Sequence, residues 1–125
     1  FEVVELFLAG PGATCLELEL GPHGHYLALL LSGPRRPLDR VIALAPRIER
    51  AGRQWRAEVE LPSAIVPRPI VAWNAYAMHG AGARRRFLAV APVPGDRPDF
   101  HRPDRFVPGD PTADEQGPDQ NRTAP

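Results

Sequence analysis

The side chains of this chain that could do chemistry are mainly carboxylates at alternating positions. Glu17 and Glu19 stand two residues apart in the sequence CLELEL, and a β-strand would place both carboxylates on one face, about 6–7 Å apart. A carboxylate pair at that spacing suits the inverting hydrolysis of a glycosidic bond. The same spacing is typical of any half-exposed strand, and Glu58 and Glu60 repeat it. We therefore predict a solvated strand face and no catalytic residue.

Carboxylate oxygens can also hold a cation. Hard ions such as calcium prefer oxygen ligands, and the candidate ligands are Glu2, Glu5 and Glu17, together with backbone carbonyls. The His-Gly-His sequence at 23–25 has no third ligand near it in the sequence, so we interpret it as part of a turn. Calcium is therefore the one cofactor that the sequence leaves open.

A saccharide-binding site needs a flat aromatic side chain and a few fixed polar groups. The candidates are Trp73, Asn74, Phe100 and His101. On a regular strand Trp73 points away from Asn74 and Tyr76, so Trp73 and Tyr76 cannot form one binding platform. Core packing is the structural alternative for Trp73 and Phe100, and satisfying backbone groups is the alternative for His101.

These side chains must be positioned by short strands, because no segment has a sustained apolar period of 3.6 residues. The clearest element is a hairpin at 15–33, in which Leu16, Leu18 and Leu20 alternate with glutamates on the first arm and the second arm is apolar throughout. Strands are predicted at 1–8, 15–20, 26–31, 40–44, 54–61, 70–78 and 87–90. Such a series of short strands and turns predicts an all-β fold, either an antiparallel β-sandwich or an open barrel.

The composition divides the chain into a β-sandwich domain at 1–107 and a disordered tail at 108–125. The tail is rich in Pro, Gly and Asp, and its only apolar residues are two alanines, so it buries too little surface to offset the entropy of ordering it. The single cysteine, Cys15, excludes an internal disulfide. It indicates a reducing compartment, and we expect the cytoplasm.

The charge balance argues against some partners. The 15 acidic and 15 basic residues give a formal net charge of zero, whereas nucleic-acid binding needs a net basic surface. No apolar run approaches the ~18 residues of a membrane span. We therefore expect neither a nucleic acid nor a membrane as a partner. Every basic residue is Arg, a usage that we take to indicate a GC-rich, bacterial genome.

Three segments together resemble a known family: FEVVELFL, LELELGPHGHYLALLLSG and VAPVPGDRPDFHRPDRF. From position 1 to about 106 the chain resembles an uncharacterised conserved family that includes the human chromosome 4 open reading frame 33 protein. It is also similar, more loosely, to β-sandwiches of the carbohydrate-binding module family 9 type. The features shared with that superfamily are the glutamates of the first two strands, the Trp73-Asn74 pair and the Phe100-His101 pair.

The resemblance implies an antiparallel, carbohydrate-binding-module-like sandwich that lacks N-terminal strands, because family members carry strands before the equivalent of position 1. It implies no established activity. We expect a non-catalytic binding module whose ligand is a saccharide. The alternative is an accessory or association domain that pairs with itself or with another protein through an open sheet edge.

Overall fold

The computed structural model describes residues 2–38 and 41–113, and this part of the chain forms two antiparallel sheets. Its three helices are single 3-10 turns, at Ser63–Ile65, Gly82–Arg84 and Pro103–Arg105. None of these described helices has the length or the apolar character needed to cross a membrane. The strands are β1 (Glu2–Ala9), β2 (Cys15–Leu20), β3 (Tyr26–Leu31), β4 (Arg47–Ala51), β5 (Gln54–Glu58), β6 (Ala72–His79), β7 (Arg86–Ala89) and β8 (Val107–Pro108).

The larger sheet has the order β3-β2-β1-β6-β7, and β8 also pairs with β6. Strand β1 is therefore the central strand of this sheet. On one side Leu6 of β1 lies opposite Leu18 of β2, and on the other side it lies opposite Ala75 of β6. Because β1 has a neighbour along both edges, its backbone groups are paired within the sheet.

The second sheet is the two-stranded ribbon β4-β5, which packs on one face of the larger sheet. The ribbon and the residues after it present Ala57, Val59 and Leu61 to a cluster that includes the buried Leu18 and Leu20. The two packed layers give a sandwich-like arrangement. The predicted fold class, all-β and antiparallel, is confirmed.

The opposite face of the larger sheet is covered by residues 93–106, which we call the cover segment. Phe100 stacks on Tyr76 of β6 with ring centroids 3.8 Å apart, and Phe106 packs against Phe7 of β1 at 5.6 Å. Both faces of the central strand are consequently buried, although the cover is an irregular segment and not a second sheet.

One predicted strand is wrong, and one strand of the ribbon was missed. Residues 41–44 have no strand, and Arg40 lies outside the described residues. Ile42 and Leu44 still pack on the core cluster, and the backbone N–H of Leu44 donates to the Tyr26 hydroxyl at 2.9 Å. The apolar spacing there serves packing without a partner strand. The neighbouring strand β4, with the sequence RIERA, was missed because its composition is mostly charged and its side chains are mostly exposed.

The predicted boundary of the sandwich domain falls inside strand β8. Pro108 lies opposite Ala72 of β6, and the N–H of Gly109 donates to the carbonyl of Val71 at 2.8 Å. Of the predicted disordered tail, residues 114–125 lie outside the described part of the chain.

Candidate functional site

Three carboxylates meet on the covered face of the larger sheet. Glu5 of β1 lies directly opposite Glu19 of β2, and Glu17 is two residues from Glu19 on the same face. One carboxylate oxygen of each lies within 4.8 Å of the others. Glu5 and Glu17 are only 7% and 3% exposed. The solvated strand face predicted for Glu17 and Glu19 is therefore wrong for Glu17, and Glu19 is half-buried. An alternating pattern shows that two faces differ, but it does not show that the polar face is open.

Burial controls the chemistry of this carboxylate cluster. Burial raises the pKa of Glu5 to about 7, and the charges of Glu19 and Glu17 act in the same direction. Burial, followed by the charge of Glu19, also raises the pKa of Glu17 to about 7. The Oε2 atom of Glu17 is buried and has no hydrogen-bond partner within the described residues. The cluster therefore holds more negative charge than its protein surroundings compensate.

One basic side chain of the cover segment reaches the cluster. The Nε2 atom of His101 lies 3.6 Å from Oε1 of Glu17. Burial lowers the pKa of His101, and the positive charge of Arg35 lowers it further, while Asp99 opposes these effects. Arg35 itself is paired with Asp99 at 2.7 Å. A lowered pKa favours the neutral imidazole, which does not neutralise the glutamates.

The predicted cation ligands are only partly brought together. Glu5 and Glu17 belong to the cluster, but Glu2 lies on the opposite side of β1, where its Oε2 accepts a hydrogen bond from Nε1 of Trp55 at 2.8 Å. Glu19 is the third member of the carboxylate cluster. The antiparallel pairing of β1 with β2 around the turn at 10–14 is the signal that could have identified it, because that register sets Glu5 beside Glu19.

The predicted saccharide ligands Asn74 and Phe100 are enclosed. Asn74 is 0% exposed. Its side chain makes hydrogen bonds of 2.8–2.9 Å with the Tyr76 hydroxyl, the backbone N–H of Ala75, and both backbone groups of Ala91. The Tyr76 hydroxyl donates in turn to the carbonyl of Phe100 at 3.3 Å. This network ties the cover side of the sheet to the segment after β7.

Trp73 and His101 lie on different faces of the larger sheet. Trp73 packs with the buried Leu8, Leu16 and Ile65 on the ribbon side, whereas His101 packs edge-on to Phe7, with ring centroids 5.4 Å apart, on the cover side. The structure thus groups Asn74, Phe100 and His101 on one face and separates them from Trp73. Trp73 and Tyr76 do point to opposite faces, as the strand geometry predicts.

The alternation of Trp55, Ala57, Val59 and Leu61 in the sequence predicts that all four face the core, but Trp55 borders two open clefts. Ala57, Val59 and Leu61 do pack on the larger sheet, but Trp55 is half-buried between a cleft of about 880 Å³ and another of about 430 Å³. Polar side chains line both clefts. Glu2, Arg50, Arg53 and Gln54 line both clefts, and Arg56 and His79 line the larger one. The sequence signal for an accessible Trp55 was the run RQWR, in which the tryptophan is flanked by polar residues on both sides.

A third cleft, of about 740 Å³, is mostly apolar. It lies between the larger sheet and residues 57–61, and it includes Leu88 and Val90, which are 58% and 54% exposed. Leu88 belongs to β7, the last strand of the larger sheet, which has no further strand beside it in the described part of the chain.

The fold and these sites define an all-β, antiparallel domain of two layers with a buried carboxylate cluster. Over 115 residues the chain is 39% identical to the UPF0462 protein C4orf33 homolog of Rattus norvegicus, a match that covers 86% of this chain and 58% of the rat protein. It is 38% identical over 108 residues to the human UPF0462 protein C4orf33, covering 81% of this chain and 54% of that protein. The chain is therefore a homologue of the UPF0462 C4orf33 proteins, and the predicted family resemblance is confirmed.

The organisms and the lengths of these relatives limit which of their properties can be applied to this chain. These relatives are mammalian and fish proteins, with that of Danio rerio at 37% identity. The expectation of a bacterial protein, which was based on arginine usage alone, is therefore wrong. The chain spans a little over half the length of these relatives. No known family profile matches the chain. No solved structure matches it either.

Proposed function

We propose that this domain is a non-catalytic binding module with a saccharide-type ligand, and that the ligand occupies the clefts beside Trp55. The observation that carries the proposal is the position of Trp55. Its indole N–H is fixed by the carboxylate of Glu2 at 2.8 Å, at the border of two open clefts lined by polar side chains. Saccharide recognition combines an aromatic surface with a few fixed polar groups.

The polar groups around Trp55 come from both layers of the domain. Arg50 and Arg53 belong to the ribbon and its turn, whereas Glu2 and His79 end neighbouring strands of the larger sheet. Arg50 donates to Nδ1 of His23 at 2.9 Å, which holds its guanidinium over the smaller cleft. A rigid aromatic ring with several donors at its rim suits hydroxyl-rich ligands.

The proposal includes no catalytic step. The two glutamates with strongly raised pKa values, Glu5 and Glu17, are buried beneath the cover segment. They are on the opposite face of the sheet from Trp55, and a substrate held at Trp55 would not reach them. Trp73, Asn74, Phe100 and His101 are given no ligand contact in this proposal, because their packing uses the surfaces that a sugar ring would need.

Binding can be tested with a glycan array followed by titration calorimetry on Trp55→Ala and Arg53→Ala. Both variants should weaken saccharide binding about tenfold or more, which corresponds to ~1.4 kcal/mol. Arg97→Ala is the matched control for Arg53, since it removes an exposed arginine in a separate cleft, and it should leave affinity unchanged. Absence of saccharide binding at millimolar concentration, by this chain and by a full-length relative, would overturn the proposal.

The apolar cleft favours a second candidate function, association with a second copy of the chain. An exposed edge strand can pair with its own symmetry mate and continue the sheet, and β7 combines a free edge with the exposed Leu88 beside an apolar cleft. Sedimentation should then show a dimer that Leu88→Glu dissociates. Leu38→Glu is the control, because Leu38 is similarly exposed and lies outside that cleft. A monomer at high micromolar concentration would contradict this candidate.

A further inference from the structure

We propose that Glu5, Glu17 and Glu19 bind one divalent cation through their carboxylate oxygens. The three residues come from two paired strands, so their backbone positions are fixed by the sheet register and do not depend on a loop. One oxygen of each lies within 4.8 Å of the others. Two ligands on opposite sides of an ion are separated by about twice the metal–oxygen distance, which is ~4.6–5.2 Å for calcium. The cluster therefore fits around a single ion.

A second observation points to a ligand at the same place. Glu17 is 3% exposed, and its Oε2 atom is buried without a hydrogen-bond partner among the described residues. A buried carboxylate oxygen with no partner is strongly destabilising, and proteins ordinarily pair such groups or use them to coordinate metals. Glu5 is nearly as buried and shares the face. A cation would satisfy the unpartnered oxygen and compensate the charge of all three glutamates.

The surroundings indicate the class of ion and its role. All three donors are carboxylates, which favours calcium or manganese over ions that prefer sulfur or nitrogen. The His101 imidazole of the cover segment lies 3.6 Å from Oε1 of Glu17. Phe7 and Phe100 pack around the same face, so the ion would be enclosed. An ion held there joins β1 to β2 beneath the cover segment and has a structural role.

Metal binding is measured directly on the chain after removal of metals with a chelator. Equilibrium dialysis against Ca²⁺, Mn²⁺ or Mg²⁺, followed by elemental analysis, should give one Ca²⁺ or Mn²⁺ per chain. At a hundredfold excess over Kd, binding should raise Tm by on the order of 5–10 °C. If neither Ca²⁺ nor Mn²⁺ binds stoichiometrically at millimolar concentration, the proposal is overturned and the glutamates share protons instead.

The ligands are tested with Glu17→Gln, which keeps the shape of the side chain and removes its charge. This variant should lose at least tenfold in affinity for Ca²⁺ and most of the ion-dependent rise in Tm. Glu60→Gln is the matched control, because Glu60 is an exposed glutamate near the ribbon, and it should bind the ion as the unchanged chain does. Equal losses in both variants, or none in Glu17→Gln, would assign the ion to another site. The result is independent of saccharide binding at Trp55.

Discussion

At the scale of single residues, Asn74 shows how a polar side chain can be part of a sheet core. It is fully buried, and its amide group bonds the Tyr76 hydroxyl and both backbone groups of Ala91. The last backbone bond from this segment to β6 is donated by the N–H of Val90 to the carbonyl of Ala75 at 3.0 Å, and the Asn74 side chain continues the pairing at Ala91. The asparagine therefore fixes the path of the chain as it leaves the sheet toward the cover segment.

We expect Asn74→Ala to lower the free energy of unfolding by about 3 kcal/mol, because it leaves buried partners without hydrogen bonds. Urea unfolding followed by fluorescence measures the change. The control is His79→Ala, at the exposed end of the same strand, which should change stability by less than about 0.5 kcal/mol. Similar losses in the two variants would show that the network around Asn74 contributes little.

Cys15 gives a second prediction at this scale. Burial, with the negative charge of Glu17, raises the pKa of its thiol to about 12. Only the thiolate is nucleophilic, so in the folded chain iodoacetamide should modify Cys15 at least about a hundredfold more slowly at mildly alkaline pH than it modifies an unperturbed cysteine. Mass spectrometry can follow the reaction. The rate should become that of free cysteine in urea, and an equally fast reaction in the folded state would contradict the predicted burial.

At the scale of elements, the hairpin of β2 and β3 depends on its turn. Gly24 has a φ of +88°, a backbone conformation that side chains with a Cβ atom rarely adopt. A Cβ atom there would meet nothing within 4 Å, so the effect of a substitution is purely conformational.

Gly24→Ala should consequently lower the free energy of unfolding by about 1–2 kcal/mol, as measured by chemical denaturation. Gly33→Ala tests the same exchange at the other end of the hairpin. Its φ is outside the left-handed region, and its Cβ would make ordinary contacts, the nearest at 3.6 Å to Arg36. It should shift stability by no more than about 0.5 kcal/mol. An unchanged stability of Gly24→Ala would argue against this turn.

The elements that the sequence predicts well are those in which local pattern and burial agree. The hairpin and strand β6 alternate or carry apolar runs, and each lies in the larger sheet near its predicted position. The failures have a physical reason. The apolar residues at 41–44 pack as an irregular segment, and β4 is exposed and charged. The partner of Leu44 is Tyr26, which lies 18 positions earlier and leaves no local signal. Strand β4 pairs with the adjacent β5, and it was missed because its charged, exposed side chains show no apolar alternation.

For the candidate sites, the features set by residues near in sequence could be predicted, and those set by remote residues could not. That Glu5 and Glu17 share a face could be predicted, because strand parity and hairpin pairing are local. Their burial could not, since it depends on the cover segment some eighty positions later. Asn74 and Phe100 were candidate ligands because side chains suited to binding a sugar are equally suited to a hydrogen-bonded aromatic core. Only contacts with residues remote in sequence decide between the two roles.

At the scale of the whole molecule, the buried glutamates make stability depend on pH. In the metal-free protein the pKa values of Glu5 and Glu17 are raised to about 7. A carboxyl group whose pKa is higher in the folded state binds more protons when folded. Its stabilising contribution is complete below the ordinary pKa, near 4.5, and is lost as pH rises through about 7.

We therefore expect the free energy of unfolding of the metal-free protein to fall by on the order of 3 kcal/mol between about pH 5 and pH 8. Urea titrations across that range measure it. The exposed carboxylates whose pKa is lowered, Glu58, Asp104 and Asp110, act below this window. The lowered pKa of the single His101 opposes the effect of the two glutamates and reduces the fall. Glu17→Gln should flatten the profile. Stability that rises with pH over the same range in the unsubstituted chain would contradict the raised pKa values.

The central position of β1 also determines how the molecule must fold. Its partners on β6 are between 63 positions away, for Ala9 and Ala72, and 77 positions away, for Glu2 and His79. Sheets dominated by such distant pairings fold slowly, typically in milliseconds to seconds. During synthesis β1 and the hairpin emerge before β6, and β1 keeps the edge that β6 will occupy open until residues 72–79 arrive. The interval before β6 pairs is therefore the period in which the nascent chain is most exposed to aggregation through β1.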